Sequence, residues 1–504
     1  SSMAGSRSMS KSAFALGRRL FSSYPSVAGV QSALVPAQTS ESFLKWTSPV
    51  PVKTQHLLTP TLAGPATQIT TLPNGLRVAT EEHAHAKTAT VGVWIDAGSR
   101  FESDATAGTA HFLEHLIFKG TNKRSQAQLE VEVENMGGHL NAYTSREQTT
   151  YYARVTKENV GGAVDILSDI LTGSKLDSAA VERERGVILR EMEEVGKDGA
   201  ETLFDHLHAT SFQFSPLGRT ILGSADNVRT ITSGDLADYI ATHYTAPRMV
   251  VCAAGAVDHE SFVKLVSDKF SSLPTKPSHT AYELATSDPA IFTGSDVRFQ
   301  DSDATEHSFV LAFQGLSWTD GDSTTLQVMQ AMLGSWDARG GMGTAGGSQL
   351  SQFVASNKLC TNYMAFNTSY IDTGLFGVYA VTKDTDTLFD LAWATTQAFT
   401  KLIYDPNEDD VTRAKNQLKA QLLASSNADT TAACEDIGRQ LLTYGRRLSR
   451  AEMCARIDAV DVEQVRKVAE RLFHDQDPVV AAMGDVSELP DYNWLRRRTY
   501  WFAY

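Results

Sequence analysis

Two histidines and a glutamate stand at the spacing His111-x-x-Glu114-His115. The surrounding segment, residues 106–118, contains no proline and predicts a helix that begins just after Gly108. Residues four apart lie on one helix face, so both imidazoles can bind the same zinc ion. The order is the inverse of the His-Glu-x-x-His zinc motif, and Glu114 borders the same site. A polar patch on a helix is the alternative.

A catalytic zinc needs a third protein ligand, with one coordination position left open. The segment Val181–Val195 predicts a second helix that carries glutamates at positions 182, 184, 191, 193 and 194. At about 100° per residue, Glu184 and Glu191 lie on the side of the apolar Ile188, whereas the other three point to solvent. Buried carboxylates are costly unless they are paired or bind metal. Helix geometry therefore leaves two candidates for the third ligand.

These two segments resemble the M16, or pitrilysin-type, metallopeptidases. The motifs that carry the resemblance are 111–115 and 182–192, within a match that extends over nearly all of residues 65–490. The resemblance implies that His111, His115 and Glu191 bind Zn²⁺. It also implies that Glu114 is the general base that takes a proton from water, and that Glu184 is a second catalytic carboxylate beside the metal.

The same resemblance implies where a peptide substrate binds. The substrate-binding residues it implies are Phe118, Asn141, Ala142, Tyr143, Glu201 and Asp205. The phenylalanine would line the pocket after the scissile bond, and residues 139–144 would form an edge strand that pairs with extended substrate. The two acids, four apart on a helix, would receive a substrate arginine. An ordinary strand and a solvated acidic face remain the alternatives.

The elements that position these residues occur twice along the chain. The matching pairs, in the same order in both halves, are the strands that end before Gly98 and Gly315, residues 142–145 and 365–369, and residues 250–257 and 479–486. The offsets grow slowly from 217 to 229, which indicates a tandem duplication. Each half mixes alternating strand patterns with amphipathic helices. The predicted fold class is α+β, with two homologous domains, each a mostly antiparallel sheet packed with helices (M16/LuxS-like).

The second copy has lost the metal-binding residue types. Residues 328–332, Val-Met-Gln-Ala-Met, stand where the first copy has its zinc motif, and Ala414 and Gln421 replace the two candidate glutamates. We therefore expect one zinc ion per chain. The predicted organisation is a leader over 1–40, a catalytic domain over 60–273, a linker over 274–295, a metal-free repeat domain over 296–490 and a tail over 491–504.

Composition limits the class of protein and of partner. The 504 residues carry a net charge of −14, which argues against nucleic acid and favours cationic partners. The most apolar run, Met249–Val257, is less than half the roughly 20 residues of a transmembrane helix, so we expect none. Four cysteines without paired spacing predict buried thiols in a reducing compartment.

Residues 1–40 contain four cations and no acid, in a stretch rich in Ser and Ala. This composition is typical of a mitochondrial transit peptide, and a disordered basic tail is the alternative. Without the four cations of residues 1–21, the net charge falls from −14 to −18. The sequence therefore predicts the mitochondrial matrix, or the matrix side of the inner membrane, as the location.

Leader and resemblance together imply a zinc metalloendopeptidase that removes N-terminal presequences from imported mitochondrial precursors. The implied partners are a homologous α subunit in a heterodimer, presequence peptides and other subunits of respiratory complex III. One alternative is a structural core protein of the cytochrome bc1 complex with little or no peptidase activity. A free peptide-degrading enzyme is the other, although only two domains of the family type are present. The intact ligand set and base favour an active enzyme.

Overall fold

The fold is described from a computed structural model of the chain. The described residues are Trp46, 64–277, 279–340 and 346–500, except for the side chains of 425–428. The predicted leader and the last four residues of the predicted tail lie outside these ranges. Within the described ranges, no helix combines the length and the apolar character needed to cross a bilayer.

One six-stranded sheet is built from the first half of the chain. Its strands are β1 (Thr67–Thr71), β2 (Arg77–Glu82), β3 (Thr88–Ile95), β4 (His139–Thr144), β5 (Thr149–Thr156) and β6 (Met249–Gly255). They lie in the order β1-β2-β6-β3-β5-β4, and every pair is antiparallel except β2–β6. The apolar run of β6 makes it a central strand in which every residue is buried. Among the described strands, β4 lies at an edge of this sheet and pairs with β5 alone.

The helices of the first half pack mainly on one face of this sheet. They are α1 (Thr109–Leu116), α2 (Gln126–Asn135), α3 (Val160–Gly173), α4 (Ser178–Val195), α5 (Gly199–Ser211), α6 (Ala225–Thr230), α7 (Ser233–His243), α8 (His259–Lys269) and α9 (Ala281–Ser287). Helix α1 confirms the helix predicted after Gly108, and its apolar residues Phe112 and Leu113 are fully buried in the domain core. It contacts α4 and α7, so packing fixes the helix that carries both histidines.

The second half repeats this arrangement. Its strands are β7 (Asp296–Gln300), β8 (His307–Gly315), β9 (Ser335–Asp337), β10 (Asn362–Ser369), β11 (Gly374–Thr382) and β12 (Val479–Gly484), in the order β7-β12-β8-β11-β10-β9. Its helices are α10 (Ser323–Leu333), α11 (Gln349–Asn357), α12 (Leu388–Tyr404), α13 (Glu408–Ala428), α14 (Thr430–Thr443), α15 (Arg450–Asp458), α16 (Val462–Phe473) and α17 (Tyr492–Arg497).

The two sheets confirm the predicted α+β fold and its duplication. Strands β2, β6, β3, β5 and β4 correspond in order to β7, β12, β8, β11 and β10, with one parallel pair in each sheet. The first sheet has β1 as an extra strand at one edge, whereas the second has β9 at the opposite edge, beside β10. The exact domain boundaries stay a prediction.

Each half contributes a helix to the other half's sheet. Helix α14, from the second half, packs on β3 and β6 of the first sheet, where Cys434 and Ile437 join one buried cluster with Trp94 and Cys252. Helix α5, from the first half, packs on β12 and β8 of the second sheet. All four cysteines are free and buried, as the sequence predicts. The reciprocal exchange means that neither sheet is covered on both faces by its own half.

A buried ion cluster also joins the halves. The guanidinium of Arg100 donates to Glu147 at 2.7 Å and to both carboxylate oxygens of Asp372 at 2.7 and 2.6 Å. The backbone N–H of Ile371 also donates to Glu147 at 3.1 Å. Because Glu147 belongs to the first half and Asp372 to the second, Arg100 links the two through charge-assisted hydrogen bonds.

Helix α14 packs closely on the first sheet at Gly438. A Cβ at Gly438 would lie 2.2 Å from Cδ2 of the buried Trp94 indole. We expect Gly438→Ala to lower the free energy of unfolding by about 1–3 kcal/mol through overpacking, despite the helix preference of alanine. Urea unfolding followed by circular dichroism measures this change.

The matched control is Gly186→Ala within α4. A Cβ at Gly186 would have no atom of the described residues within 4 Å, apart from its chain neighbours and its own helix backbone. This exposed substitution should raise the free energy of unfolding by about 0.5–1 kcal/mol through helix propensity alone. Equal effects of the two substitutions would contradict the close packing of α14 on Trp94.

Candidate active site

Helices α1 and α4 bring the predicted metal ligands together. His111 and His115 lie one turn apart on α1, with ring centroids 4.8 Å apart. Glu191, near the end of α4, faces both of them. Its Oε1 is 3.7 Å from Nε2 of His111, and its Oε2 is 3.1 Å from Nε2 of His115. Of the two glutamates that helix geometry leaves open, the structure thus places Glu191 against both imidazoles.

The three side chains fit a metal ion. One ligand atom from each lies within 4.8 Å of the others. Among the described residues, the buried Oε2 of Glu191 makes no well-oriented hydrogen bond, although Nε2 of His115 lies 3.1 Å away, and this is costly unless something else binds there. Burial, and then the neighbouring His115, lower the pKa of His111 to about 4, so its imidazole is neutral and able to coordinate near pH 7. Two imidazoles and a carboxylate suit zinc, with a position open for water.

Glu184 lies on the other side of His115. Its Oε2 is 3.5 Å from Nδ1 of His115, and its Oε1 is 3.0 Å from Nζ of Lys119. It is buried, as the helix geometry predicts. A carboxylate at Nδ1 orients the ring and leaves Nε2 for the metal, a frequent arrangement at metal sites. Glu184 is therefore placed to position a ligand, and Lys119 balances its charge.

Glu114 lies on α1, directly before His115 in the sequence. Its side chain is half-buried. Burial raises the pKa of its carboxyl above the ordinary value for glutamate, which brings it closer to the range of an effective general base. Helix α1 contacts β4, so this carboxylate stands near the open edge of the first sheet. The arrangement can take up and release a proton beside a bound metal.

The candidate peptide-binding residues lie along that edge. In β4, Asn141, Ala142 and Tyr143 are in register with residues 150–152 of β5, and the other side of β4 has no strand partner within the described ranges. The Tyr143 hydroxyl donates to Glu435 of α14 at 3.2 Å, which ties the edge to the second half. Phe118, half-buried just beyond α1, packs edge-on to Tyr151. Their role in substrate binding stays a prediction.

The two acids predicted to receive an arginine differ in their surroundings. Both lie on α5, the helix that packs on the second sheet, so they stand at the junction of the halves. Glu201 is exposed. The Asp205 carboxylate already accepts from Arg146 at 2.6 Å and from the Thr220 hydroxyl at 2.8 Å. An incoming guanidinium would have to share Asp205 with Arg146, and the predicted role of this pair stays untested.

The second half keeps the helices without the metal-binding residues. Val328 on α10 and Ala414 on α13 are buried apolar residues in its core, as the alignment of the two halves predicts. In the described part of the chain, His111, His115 and Glu191 form the one group of at least three potential ligands. This agrees with the predicted single metal site.

Two ion pairs near the site are not predicted by the residue types and spacings of the sequence. Lys119 pairs with Glu184, and Arg146 pairs with Asp205. For Lys119 the local signal is only its place just after the zinc motif, because α1 ends at Leu116 and helix periodicity no longer applies there. For Arg146, which lies 59 residues before Asp205, no local pattern exists.

Comparison with protein families matches two successive parts of the chain. Residues 77–225 match the model of insulinase-type peptidases of family M16, and residues 230–418 match the model described as the inactive domain of peptidase M16. The match to a peptidase domain followed by an inactive domain agrees with the loss of metal-binding residues from the second half.

Curated relatives match almost the whole chain. A probable mitochondrial-processing peptidase subunit beta of Arabidopsis thaliana is 57% identical over 462 residues, covering 92% of this chain and 86% of the relative. The subunit beta of Neurospora crassa is 51% identical (86% and 91% covered), and that of Homo sapiens is 45% identical (87% and 88%).

Among solved structures, a chain of complex III2 from Candida albicans, with Inz-5 bound, superposes with a TM-score of 0.76 at 25% identity. The superposition covers 86% of this chain and 99% of that one.

Proposed function

Because this chain belongs to peptidase family M16, we propose that it is the catalytic β subunit of a mitochondrial processing peptidase. In this function it is a metalloendopeptidase that removes N-terminal presequences from imported precursor proteins. The observation that carries the proposal is the group His111, His115 and Glu191 beside Glu114 and an open sheet edge. The relatives, 45–57% identical and covered over most of their length, support it.

The proposed cofactor is one Zn²⁺ held by His111, His115 and Glu191. When bound, zinc polarises a carbonyl and makes a bound water more acidic. Glu114 accepts the proton of the attacking water and donates it to the leaving amine. Glu184 holds His115 through Nδ1, so that this ring keeps its orientation while protons move nearby.

Substrate binding is proposed at the open edge of β4. In the second half, the corresponding edge is occupied by β9, and the peptide would take the same position and the same antiparallel direction. There, Ser335–Asp337 pair antiparallel with Asn362–Met364 at the start of β10, the counterpart of β4. A peptide that adds to β4 in the same way is held by main-chain hydrogen bonds, which tolerate many sequences. Such a mode suits presequences, which share charge rather than sequence. Glu201 and Asp205 would then select for arginine.

Glu184 allows a test of how the ligand set is held. We expect Glu184→Gln to raise the zinc dissociation constant by about 10- to 100-fold, because an amide holds the His115 ring less firmly and no longer balances Lys119. Competition with a chromogenic chelator measures the constant. Glu194→Gln, on the exposed face of α4, is the matched control. Equal zinc affinities of the two variants would show that Glu184 does not contribute to metal binding.

The proposed partners are a homologous α subunit and, in complex III, the other subunits of that assembly. The proposed location is the matrix, or the matrix side of the inner membrane; the curated relatives are named as mitochondrial. The predicted leader, which lies outside the described residues, would direct the chain there.

The decisive experiment is reconstitution. The chain, purified with its α partner, should cleave a presequence peptide, lose that activity with a chelator, and regain it with zinc. A peptide with its arginines replaced by glutamine should be cleaved much more slowly. Cleavage that resists chelation, or that occurs equally well for both peptides, would contradict the proposal.

A second candidate function rests on the superposition with a complex III chain. In this function the protein is a core subunit of the cytochrome bc1 complex, with or without peptidase activity. Purification of the native protein from mitochondrial membranes separates the possibilities. Co-purification with cytochrome subunits and chelator-sensitive cleavage would establish both functions, and co-purification without cleavage would leave the structural one.

A further inference from the structure

The helix that carries both histidines begins without a side-chain cap of its own. Its N-cap residue is Gly108, with φ at +101°, and no side chain there accepts from the helix. A Cβ at this position would lie 2.6 Å from the carbonyl oxygen of Leu222, so only glycine fits. The first N–H groups of α1 must therefore find an acceptor elsewhere in the chain.

Glu102 is that acceptor. One oxygen of its carboxylate accepts from the N–H of Gly108 at 2.8 Å, and the other accepts from the N–H of Ala110 at 2.6 Å. The residue is only 6% exposed. Arg219 holds the segment in place by donating to the carbonyl of Glu102 at 2.7 Å and to Asp104 at 2.8 Å. The carboxylate thus binds the turn that leads directly into His111.

The two histidines are held in different ways. Glu184 contacts Nδ1 of His115 from α4, whereas Nδ1 of His111 is buried and has no hydrogen-bond partner in the described part of the chain. The His111 ring is therefore positioned by the backbone that carries it and by its packing against His115 and Glu191, without a hydrogen bond at Nδ1 to orient it. That backbone is the first turn of α1, which Glu102 holds by hydrogen bonds on both sides of Thr109.

The duplication offers an internal comparison. Counting from the matched glycines Gly98 and Gly315, Thr319 stands at the position of Glu102. The corresponding helix α10 begins at Ser323, and there the neighbouring Asp320 accepts from the N–H of the N-cap residue Asp322 at 2.8 Å. Both copies thus place a carboxylate on the N–H of the N-cap residue, and for Glu102 the described contacts include a second bond, from the N–H of Ala110 within the helix.

We propose that Glu102 is a positioning residue of the metal site: it fixes the first turn of α1 and thereby the imidazole of His111. The inference rests on the proposed function in one respect, that the site binds zinc. In the described part of the chain, the hydrogen bonds of the Glu102 carboxylate go to the backbone of Gly108 and Ala110 and not to the side chains of the three metal-binding residues. Its effect passes through backbone N–H groups at a helix N-terminus, where a carboxylate is favoured.

The test uses the full-length chain with its α partner and the variant Glu102→Gln, which keeps the shape but offers one acceptor in place of two. At saturating zinc, kcat for a presequence peptide should fall while KM stays within about twofold. The zinc dissociation constant should rise at least about 10-fold. Glu102→Asp, which keeps the charge with a shorter reach, gives the same comparison if Glu102→Gln does not fold.

The matched control is Val266→Ala on α8, a fully buried position in the same domain core, far along the chain from α1. It should lower the melting temperature and leave the zinc dissociation constant unchanged. If Glu102→Gln lowers the melting temperature with wild-type zinc affinity and kcat, Glu102 serves folding alone and the inference is overturned. Failure of the wild-type protein to cleave presequences would contradict the proposed function, and the zinc affinities would still test Glu102.

Discussion

A Glu114→Gln variant should retain zinc and lose about 10²- to 10⁴-fold in kcat for a presequence peptide. The amide has nearly the same shape as the carboxylate but cannot accept the proton of the attacking water. Since Glu114 is not among the three grouped ligands, zinc affinity should stay at the wild-type value. Single-turnover cleavage with excess enzyme isolates the chemical step, and metal analysis of the purified variant gives the zinc content.

Glu193→Gln is the control, because Glu193 is an exposed glutamate on α4 and its loss changes the net charge by the same amount. It should cleave at the wild-type rate. A Glu114→Gln variant that cleaves normally would exclude Glu114 as the base. One that loses zinc would instead show that the side chain belongs to the ligand set.

Arg100→Leu should have the largest effect on stability, lowering the free energy of unfolding by about 3–5 kcal/mol. The substitution leaves Glu147 and Asp372 without their cation at the junction of the halves, with side chains only 6% and 16% exposed. Urea unfolding at pH 8 measures the loss. Arg466→Leu, which removes an exposed pair with Glu463 on α16, should change stability by less than about 0.5 kcal/mol.

The stability lost in Arg100→Leu should also depend on pH. Burial raises the pKa of Glu147 to about 7, even though Arg100 lowers it, so removal of Arg100 should raise it further. A carboxyl with a folded-state pKa above its unfolded value destabilises the fold as pH rises from the lower value to the higher. The difference between wild type and Arg100→Leu should therefore be smaller at pH 5.5 than at pH 8. If the stability difference between wild type and Arg100→Leu were the same at both pH values, an unpaired carboxylate would not be its cause.

That the candidate ligands come together can be predicted from the sequence because the signals are local. His111 and His115 are four apart on one helix, and the apolar positions of α4 distinguish buried from exposed glutamates. The choice of Glu191 over Glu184 needs the family resemblance, since both lie on the buried face. The structure separates them by what they touch: Glu191 meets both imidazoles, and Glu184 meets one imidazole and Lys119.

The long-range contacts are beyond sequence patterns. An amphipathic pattern shows that α14 has a buried face but not that this face covers the sheet of the other half. Likewise, Glu102 and Asp205 look like surface acids until the fold brings them to the N–H groups of α1 and to Arg146. These contacts depend on tertiary geometry that no local periodicity encodes.

The exchange of helices between the halves has a consequence for synthesis of the protein. The last strand of the first sheet ends at Gly255, but the helix that covers Trp94 begins only at Thr430. At 5–20 residues per second, the intervening chain takes roughly 9 to 35 seconds to emerge from a ribosome. During that interval one apolar face of the first sheet has no cover from its own chain. It is the surface that a chaperone would have to shield, and the protein becomes a single cooperative unit only when its last quarter has been made.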